Sequence, residues 1–338
     1  MSMLKYILRR VLAAVPVLFG VLTITFILSR LMPGDPVLAS LPDRFDPEDY
    51  RIAYERLGLH LPIIQQYFLY IGRLFVGDWG TSFVLAQGQP VWVIVMERFP
   101  RTFDIAIFAI IIASIIGLKT GVISATNRNR WKDTVLRGIA LIGVSIPVFW
   151  MGLILQYFLA YQLDWFPTAN YKTAGIGDPP VITLNRIFDS LLSGRMYLIT
   201  DYLHHLILPV FCLSFITIAS ITRQTRSSML EVLEQDYVRT ARAKGCKERD
   251  VINTHARKNA LIPTVTVIGL NFGGLLSGAV LTETTFNLHG MGEALIQAIQ
   301  NTDYWLLNAI VFLTTIVFIV INLGIDLIYG FIDPRIRY

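Results

Sequence analysis

The chain has 338 residues, of which 54% are hydrophobic and 16% charged, and its mean hydropathy is +0.55. A soluble domain of this composition would expose far more apolar surface than such proteins tolerate, so the composition excludes a soluble globular protein. The formal net charge of +5 comes from Lys and Arg residues that flank apolar runs, and no basic tract with interleaved aromatic residues suggests nucleic acid as a partner.

The first 31 residues predict a cytoplasmic N-terminal segment and a first transmembrane helix. Lys5, Arg9 and Arg10 precede an uncharged run from Val11 to Ser29. This run is longer than the apolar core of a signal peptide, and no small-residue cleavage site follows it. We therefore expect the helix to remain in the chain.

Residues 32–102 predict a small extracytoplasmic subdomain of short helices. Asp46 and Pro47 mark one helix start, and Pro62 opens another helix that Gly77 ends. Proline suits the first helical turn because its missing N–H has no partner there, and glycine takes the left-handed conformation that ends a helix. A segment of this length is exempt from the charge-bias rule, so its arginines do not place it in the cytoplasm.

Residues 103–338 predict a core of five further transmembrane helices. Each apolar run is about long enough to cross the hydrocarbon core of a membrane. With the first run they predict an all-α polytopic membrane protein with six transmembrane helices. The five runs are Ile105 to Leu118 (extendable to Ile123), Gly138 to Leu163, Leu206 to Thr222, Asn259 to Thr282 and Tyr304 to Ile325.

The distribution of charge predicts the orientation of the spans. The connection from Ser124 to Arg137 carries four basic residues against Asp133 alone, whereas Glu283 to Asp303 carries acids and no Lys or Arg. Basic connections stay in the cytoplasm, so we expect both termini there and the segment from Asp164 to Leu203 outside.

A charged segment at about 223–260, set between two apolar runs, predicts two helices separated by a glycine. Ser228 and Glu231 fit a capping box that would start the first helix, and Gly245 would end it. A second helix would follow from about Lys247 toward Asn259.

Apolar side chains of the first of these helices recur at helical spacing and indicate one buried stripe: Leu230, Leu233, Tyr237 and Ala241. The excess of basic residues also fits a cytoplasmic loop that only fixes topology, or a patch for anionic lipid. The glycine break and the apolar stripe favour a docking surface for a partner protein, because a solvated loop needs neither.

Small residues in the fifth apolar run allow close helix packing. Gly269 with Gly273, and Gly274 with Gly278, form two small-x-x-x-small pairs, and Asn271 lies among them. Such pairs let helix backbones approach closely in lipid. They fit an ordinary contact within the chain, or the lining of a pathway or subunit seam, and the sequence leaves both interpretations open.

Two ways of driving transport are disfavoured by the residues. An ion-coupled carrier needs ionisable groups deep in the membrane, but Asp104, Lys119, Glu283 and Asp326 all fall near span ends. The nearest approach to a phosphate-binding loop, Gly117-Leu118-Lys119-Thr120, has the wrong spacing and no preceding strand. If ATP drives this protein, another chain binds it.

Enzyme and metal sites are also poorly supported. Gly143-Val144-Ser145 with His204 and His205 suggests an intramembrane serine hydrolase, but the triplet is short and adjacent histidines point to different sides of a helix. The histidines have no partner at metal-ligand spacing. Cys212 and Cys246 lie in dissimilar surroundings, which does not suggest a disulfide.

Several motifs together resemble one family along the whole chain. Asp236 to Gly245, followed by Pro263 in Asn-Ala-Leu-Ile-Pro, resembles the cytoplasmic signature loop of permease subunits of binding-protein-dependent ABC importers, in the longer form of the dipeptide/oligopeptide group. Arg239 departs from the general importer signature, which has an acidic residue there. The motifs that resemble the first (B-type) permease subunit of that group are Tyr6-Ile7-Leu8-Arg9-Arg10, Met32-Pro33-Gly34-Asp35-Pro36, Gly77-Asp78-Trp79-Gly80, Leu281-Thr282-Glu283-Thr284 and Asp333-Pro334-Arg335-Ile336-Arg337.

The resemblance implies a type I ABC importer transmembrane-domain fold in the cell membrane and a heterodimer with a second, homologous permease subunit. It also implies an extracytoplasmic solute-binding protein and two ABC ATPase subunits that bind ATP and Mg, so this chain would be no enzyme and hold no cofactor. The implied cargo is a peptide; oligosaccharides, glutathione or nickel are alternatives. The implied ATPase-coupling residues are Tyr237, Arg239, Thr240, Ala241, Arg242, Ala243, Lys244 and Gly245.

Overall fold

A computed structural model of the chain describes residues 3–42, 44–83, 85 and 88–332. Helices are the regular secondary structure of these residues, apart from one isolated bridge between Thr81 and Pro90. Five helices are long and apolar enough to cross a membrane, and a bent pair makes a sixth span if its halves count as one. The chain has the expected all-α architecture, and the expected six spans are reached when the bent pair counts as one span. The closing motif at residues 333–337 lies outside the described residues.

The first span leads into three short helices, of which the sequence predicted the two that begin after Asp46 and Pro62. The helix that follows Asp46 is held by the backbone N–H of Asp46, which donates to Asp49 Oδ2 at 3.0 Å. Gly77 ends the last of the three with a φ of +85°. The four helices are α1 Met3–Leu31, α2 Pro36–Ser40, α3 Pro47–Arg56 and α4 Ile63–Val76.

Helix α4 lies alongside α1 and runs antiparallel to it. The ring centroids of Phe75 and Phe19 are 6.0 Å apart, and the hydroxyls of Tyr67 and Thr23 are 2.7 Å apart. Because Phe19 lies near the middle of α1, the C-terminal end of α4 packs against the middle of the first span. The placement of residues 32–102 outside the membrane stays a prediction.

Helix α5, Val91–Thr126, is one long helix that includes Pro100. It begins well before Ile105, where the sequence placed the start of the second span. The division of the chain at residue 102 stays a prediction, although α5 crosses that position without a break.

The third predicted span, Gly138 to Leu163, is not a single helix. Helix α6, Trp131–Ser145, is followed by α7, Val148–Leu155, which continues in wider π-helical turns to Gln162. The two halves meet at an angle of 98°. The break falls at Ile146 and Pro147, because proline lacks an N–H donor and disfavours the helical conformation of the residue before it.

The long helix Met196–Leu233 lies at the centre of the core. Its closest neighbour is α5, whose Gly117 and Gly121 face Ile221 and Thr225; a Cβ added at Gly121 would lie 2.4 Å from the Cβ of Thr225. The remaining helices, in chain order, are α8 Arg186–Leu192, α9 Met196–Leu233, α10 Asp236–Ala243, α11 Glu248–Asp250, α12 Arg257–Gly278, α13 Val280–Phe286, α14 Met291–Gln300 and α15 Tyr304–Ile332.

Candidate functional site

The charged segment folds as a helical hairpin at one end of the bundle. Helix α10 follows α9 after a two-residue break, Gly245 turns the chain with a φ of +79°, and α11 then leads through wider turns into α12. We call residues 236–250 the hairpin. The expected stop at Gly245 is confirmed, because its positive φ is the left-handed conformation that glycine adopts without strain.

The predicted helix start at Ser228 is wrong, because Ser228 lies inside α9. Its hydroxyl accepts a hydrogen bond from Gln224 Nε2 at 3.1 Å, and Met229 beside it is fully buried. Met229 packs in a cluster with Ala125 of α5 and with Ala256. This tertiary packing carries α9 beyond the capping sequence, as packing often overrides local signals.

The buried stripe of α10 differs from the predicted one at a single position, where Val238 is buried in place of Tyr237. Val238 is fully buried and, with Ala241, packs against Val251 and Leu233. Tyr237 is 42% exposed. The sequence prediction of a buried Tyr237 is therefore wrong: the break between α9 and α10 changes the helical phase, which an unbroken periodicity cannot anticipate.

One side-chain pair closes the hairpin, and a second contact ties it to α12. Arg242 Nε and Nη2 donate to the two carboxylate oxygens of Glu248 at 3.1 and 2.8 Å, across the turn at Gly245. The hydrogen bond to Glu248 raises the pKa of Arg242. Asn259 Nδ2 donates to the Tyr237 hydroxyl at 2.7 Å. These bonds are partly exposed, so they contribute orientation more than stability.

The structure brings the eight predicted coupling residues together on one short element. Ala241 is buried and anchors the hairpin. The other seven form an exposed surface: Tyr237, Arg239, Thr240, Arg242, Ala243, Lys244 and Gly245.

An ion pair with a buried carboxylate lies on the part of α9 that precedes the hairpin, and the sequence reasoning missed it. The fully buried carboxylate of Asp133 accepts from Arg226 Nε and Nη2 at 2.7 and 2.8 Å, and also from Ser124 Oγ and the backbone N–H of Asn129. This pair ties α6 and the end of α5 to α9. The signal in the sequence was the lone acid in a basic connection.

The glycines of α12 divide into two groups. A Cβ at Gly269 would lie 1.8 Å from Ile325 Cδ1, and one at Gly273 would lie 2.6 Å from the Phe318 ring, so these two glycines allow close contact with α15. Nothing lies within 4 Å of a Cβ at Gly274.

Gly274 and Asn271 line an open groove of about 460 Å³ between α9 and α12. Asn271 Nδ2 donates to the backbone oxygen of Val267 at 2.7 Å, so its amide is partly committed to its own helix. Contact within the chain therefore accounts for Gly269 and Gly273, whereas the pathway or subunit seam stays a prediction for Asn271 and Gly274. Gly278 ends α12, and its surroundings lie outside the described residues.

At the opposite end of the bundle, Glu283 is fully buried. Its carboxylate accepts from Thr102 Oγ1 and from the backbone N–H of Gly292, both at 2.7 Å, which joins α5 to the start of α14. Burial raises the pKa of Glu283. Glu283 lies in α13, beyond α12, so it is no relay group inside that span.

The three residues that suggested a hydrolase bond to backbone oxygens and not to one another. Ser145 Oγ donates to the backbone oxygen of Leu141, while His204 and His205 bond to the backbone oxygens of Trp165 and Asp201. Among the described residues, no three His, Cys, Asp or Glu side chains cluster as a metal site would require.

Comparison with known proteins identifies the family. The model for the inner membrane component of binding-protein-dependent transport systems matches residues 117–338, and the model for the N-terminal part of such membrane components matches residues 3–106. A dipeptide transport system permease protein of Alkalihalophilus pseudofirmus is 42% identical over 99% of this chain and 100% of its own length. A di/tripeptide permease of Pseudomonas aeruginosa is 43% identical, and a dipeptide permease of Escherichia coli K12 is 39% identical, each over 99% of both chains.

Among solved structures, two inward-facing crystal forms of the MetNI methionine ABC transporter resemble this chain. Their TM-scores are 0.52 and 0.53 at 14% and 15% identity, and each match covers 69% of this chain and 93% of the other. This likeness confirms the fold expected of a type I ABC importer. In this family ATP hydrolysis resides on separate subunits, so the chain is not an enzyme. The chain belongs to the inner membrane components of binding-protein-dependent transport systems, as a B-type permease subunit of an ABC importer of the dipeptide/oligopeptide group.

Proposed function

We propose that this permease subunit forms half of a translocation pathway for peptides and that its hairpin is the surface that receives the ATPase subunits. The observation that carries the proposal is the hairpin itself: an exposed short helix, closed by Arg242 and Glu248 and mounted on the end of α9. Cofactors would be ATP and Mg on two partner ATPase subunits. A second homologous permease and an extracytoplasmic solute-binding protein would complete the importer in the cell membrane, with both termini of this chain in the cytoplasm.

The packing supports a mechanical route from the hairpin to the spans. Val238 and Ala241 fix α10 against Leu233 at the end of α9, a helix of 38 residues that packs along α5. Asp133 and Arg226 lock the neighbouring helix ends to α9. Since packed cores move between discrete arrangements and do not deform continuously, a push on α10 would move these helices together. Such motion would open the pathway alternately to the two sides.

The groove beside α12 supports a placement for the pathway. Asn271 and Gly274 line it, and the described residues leave one side of it open. The second permease would close it. Gly269 and Gly273 would then serve packing against α15, and Gly278 stays a candidate for either role.

The cargo is proposed from the relatives, whose names specify dipeptides and di/tripeptides. The side chains lining the groove do not select a peptide over an oligosaccharide, glutathione or nickel. Selection would rest largely on the solute-binding protein, so binding measurements on that protein test the cargo.

Site-specific cross-linking tests the docking role. A cysteine replaces Ala243 in a Cys246→Ser background, which removes the exposed native thiol. A short bifunctional reagent should join it to an ATPase subunit in membranes, whereas a cysteine at the exposed Gly177 should not react with that subunit. Modification of the cysteine at position 243 by a membrane-impermeant reagent added outside intact cells would contradict the proposal.

A further inference from the structure

A small, partly open cavity lies where α1, α4 and α15 meet. Its volume is about 40 Å³, and its lining includes Arg30, Tyr70 and Asn308, one from each helix. It adjoins a wider cleft of about 710 Å³, with which it shares Arg73 and Trp305. This site is separate from the hairpin and from the groove at Asn271.

Three buried polar atoms of the cavity lining have no hydrogen-bond partner among the described residues. They are Arg30 Nε, the Tyr70 hydroxyl and Asn308 Oδ1. Tyr70 and Asn308 are each only 5% exposed. Buried polar groups are nearly always paired, so three such atoms around one cavity indicate a polar occupant.

The cavity is cationic. Arg30 and Arg73 line it, and no acidic residue does among the described residues. Arg73 Nε lies 3.9 Å from Asp78 Oδ2, so Arg30 supplies the charge that no described carboxylate offsets. The Arg30 guanidinium stacks near the rings of Phe26 and Tyr304, with centroid distances of 5.2 and 5.4 Å, and forms no ion pair with a described carboxylate. Stacking fixes the guanidinium plane and leaves its edge for hydrogen bonding. A guanidinium held in this way suits an anion with several oxygens.

The size of the cavity fits one phosphate group. A volume of about 40 Å³ holds on the order of three water-sized groups. The Arg30 N–H and the Tyr70 hydroxyl would donate to phosphate oxygens. Asn308 would donate as well once its amide is turned over, because the two ends of an amide are nearly alike in shape.

The walls outside the cavity indicate that a lipid carries this phosphate. Helix α4 exposes large apolar side chains beside the cavity, among them Phe68 and Leu69, and α1 exposes Leu31. Tyr304 and Trp305 line the cavity, and such aromatic residues mark membrane interfaces. Basic pockets between transmembrane helices bind lipid headgroups. Acyl chains would lie along α4, which would place this helix against the outer leaflet and not wholly outside the membrane as the sequence predicts. The rest of the headgroup would extend into the wider cleft.

We propose that Arg30, Tyr70 and Asn308 bind the phosphate of a phospholipid and thereby fasten α4 to α1 and α15. The proposed orientation of the chain, with both termini in the cytoplasm, places this site in the outer leaflet. Only this choice of leaflet depends on the proposed function. The binding chemistry is independent of that orientation and of the cargo.

The test uses the full-length chain, purified in detergent with the subunits that accompany it, and native mass spectrometry of retained dioleoyl phosphatidylglycerol. Arg30→Gln should lower the apparent affinity about tenfold, and Tyr70→Phe several-fold, as expected for losing hydrogen bonds to a charged group. The melting temperature of Tyr70→Phe without lipid should be unchanged or higher, since the variant loses an unpaired hydroxyl. Arg51→Gln is the matched control, because Arg51 is exposed on α3 and paired with Glu48 and Glu55.

Two further probes separate the parts of the proposal. Dioleoylglycerol, which has the same acyl chains without phosphate, should not be retained, and inorganic phosphate should not displace the lipid. Displacement by inorganic phosphate would overturn the lipid assignment. Equal retention by Tyr70→Phe, Arg30→Gln and Arg51→Gln, or retention of dioleoylglycerol, would overturn the site. If Arg30→Gln fails to insert, Asn308→Asp replaces it as a nearly isosteric variant that should repel phosphate.

Discussion

Arg242 and Glu248 face each other across Gly245, with both guanidinium–carboxylate distances at or below 3.1 Å. The pair closes a turn of only a few residues, and the helix on its far side continues into α12. It therefore connects the exposed face of α10 to the segment that leads into α12, while Val238 and Ala241 attach α10 to the end of α9. The pair fixes the position of α10 more than it stabilises the fold, because a partly exposed ion pair stabilises a protein by only about 0.2–1 kcal/mol.

Reversing the charges of this pair distinguishes two roles for Arg242: pairing with Glu248 inside the hairpin, or direct contact with an ATPase subunit. Arg242→Glu places two carboxylates across the turn, and we expect peptide uptake by reconstituted importer to fall about tenfold, within the range by which such coupling is usually modulated. The double variant Arg242→Glu with Glu248→Arg restores the pair in reverse and should recover most of the uptake. Uptake assays in proteoliposomes check both. An unrescued double variant would show that Arg242 acts on the partner and not on Glu248.

The buried pair Asp133–Arg226 should contribute far more to stability than the exposed pair Arg128–Glu234 at the same end of the bundle. Asp133→Asn removes the negative charge and one of the two oxygens that accept from Arg226, and we expect a loss of about 3 kcal/mol in unfolding free energy. Arg128→Gln should cost less than about 1 kcal/mol. Thermal unfolding in detergent, with both variants measured side by side, provides the comparison. Similar losses of unfolding free energy for Asp133→Asn and Arg128→Gln would contradict the burial of the Asp133 carboxylate.

The two groups of glycines in α12 should respond differently to enlargement. Gly269→Ala drives a methyl group into Ile325 and should destabilise the fold by about 1–3 kcal/mol. Gly274→Ala meets open space and should leave stability within about 0.5 kcal/mol of the wild type. Gly274→Phe should lower uptake without changing the melting temperature, if the groove is part of the pathway. Normal uptake by Gly274→Phe would exclude that role.

Much of the architecture could be predicted from local signals. Apolar runs gave the number of spans, and prolines and glycines gave helix ends at Pro62, Gly77 and Gly245. The break at Pro147 was not anticipated, because the hydropathy of residues 138–163 is continuous while the backbone turns by 98°. Hydropathy reports the cost of leaving water, and it contains no information about backbone direction.

The parts of the site that sequence reasoning missed depend on residues far apart in the chain. Asp133 and Arg226 are 93 positions apart and meet only through the packing of α6 on α9. Arg30 and Asn308 line one cavity because α15 packs on α1 and α4. Tyr237 and Val238 exchanged places in the buried stripe because a two-residue break reset the helical phase. Each of these outcomes required tertiary structure.

The hairpin is proposed to transmit work from the ATPase subunits to the spans, and the variant Gly245→Pro provides the sharpest test of that role. Proline fixes φ near −65°, whereas Gly245 has a φ of +79°, so the turn cannot form; Gly245→Asn, which tolerates the left-handed conformation, is the control. The measurement is the number of ATP molecules hydrolysed per peptide taken up by proteoliposomes. We expect Gly245→Pro to insert normally but to take up little or no peptide, while Gly245→Asn retains most uptake. If an importer with Gly245→Pro takes up peptide at the wild-type rate and with the wild-type ratio of ATP to peptide, the hairpin does not transmit the work.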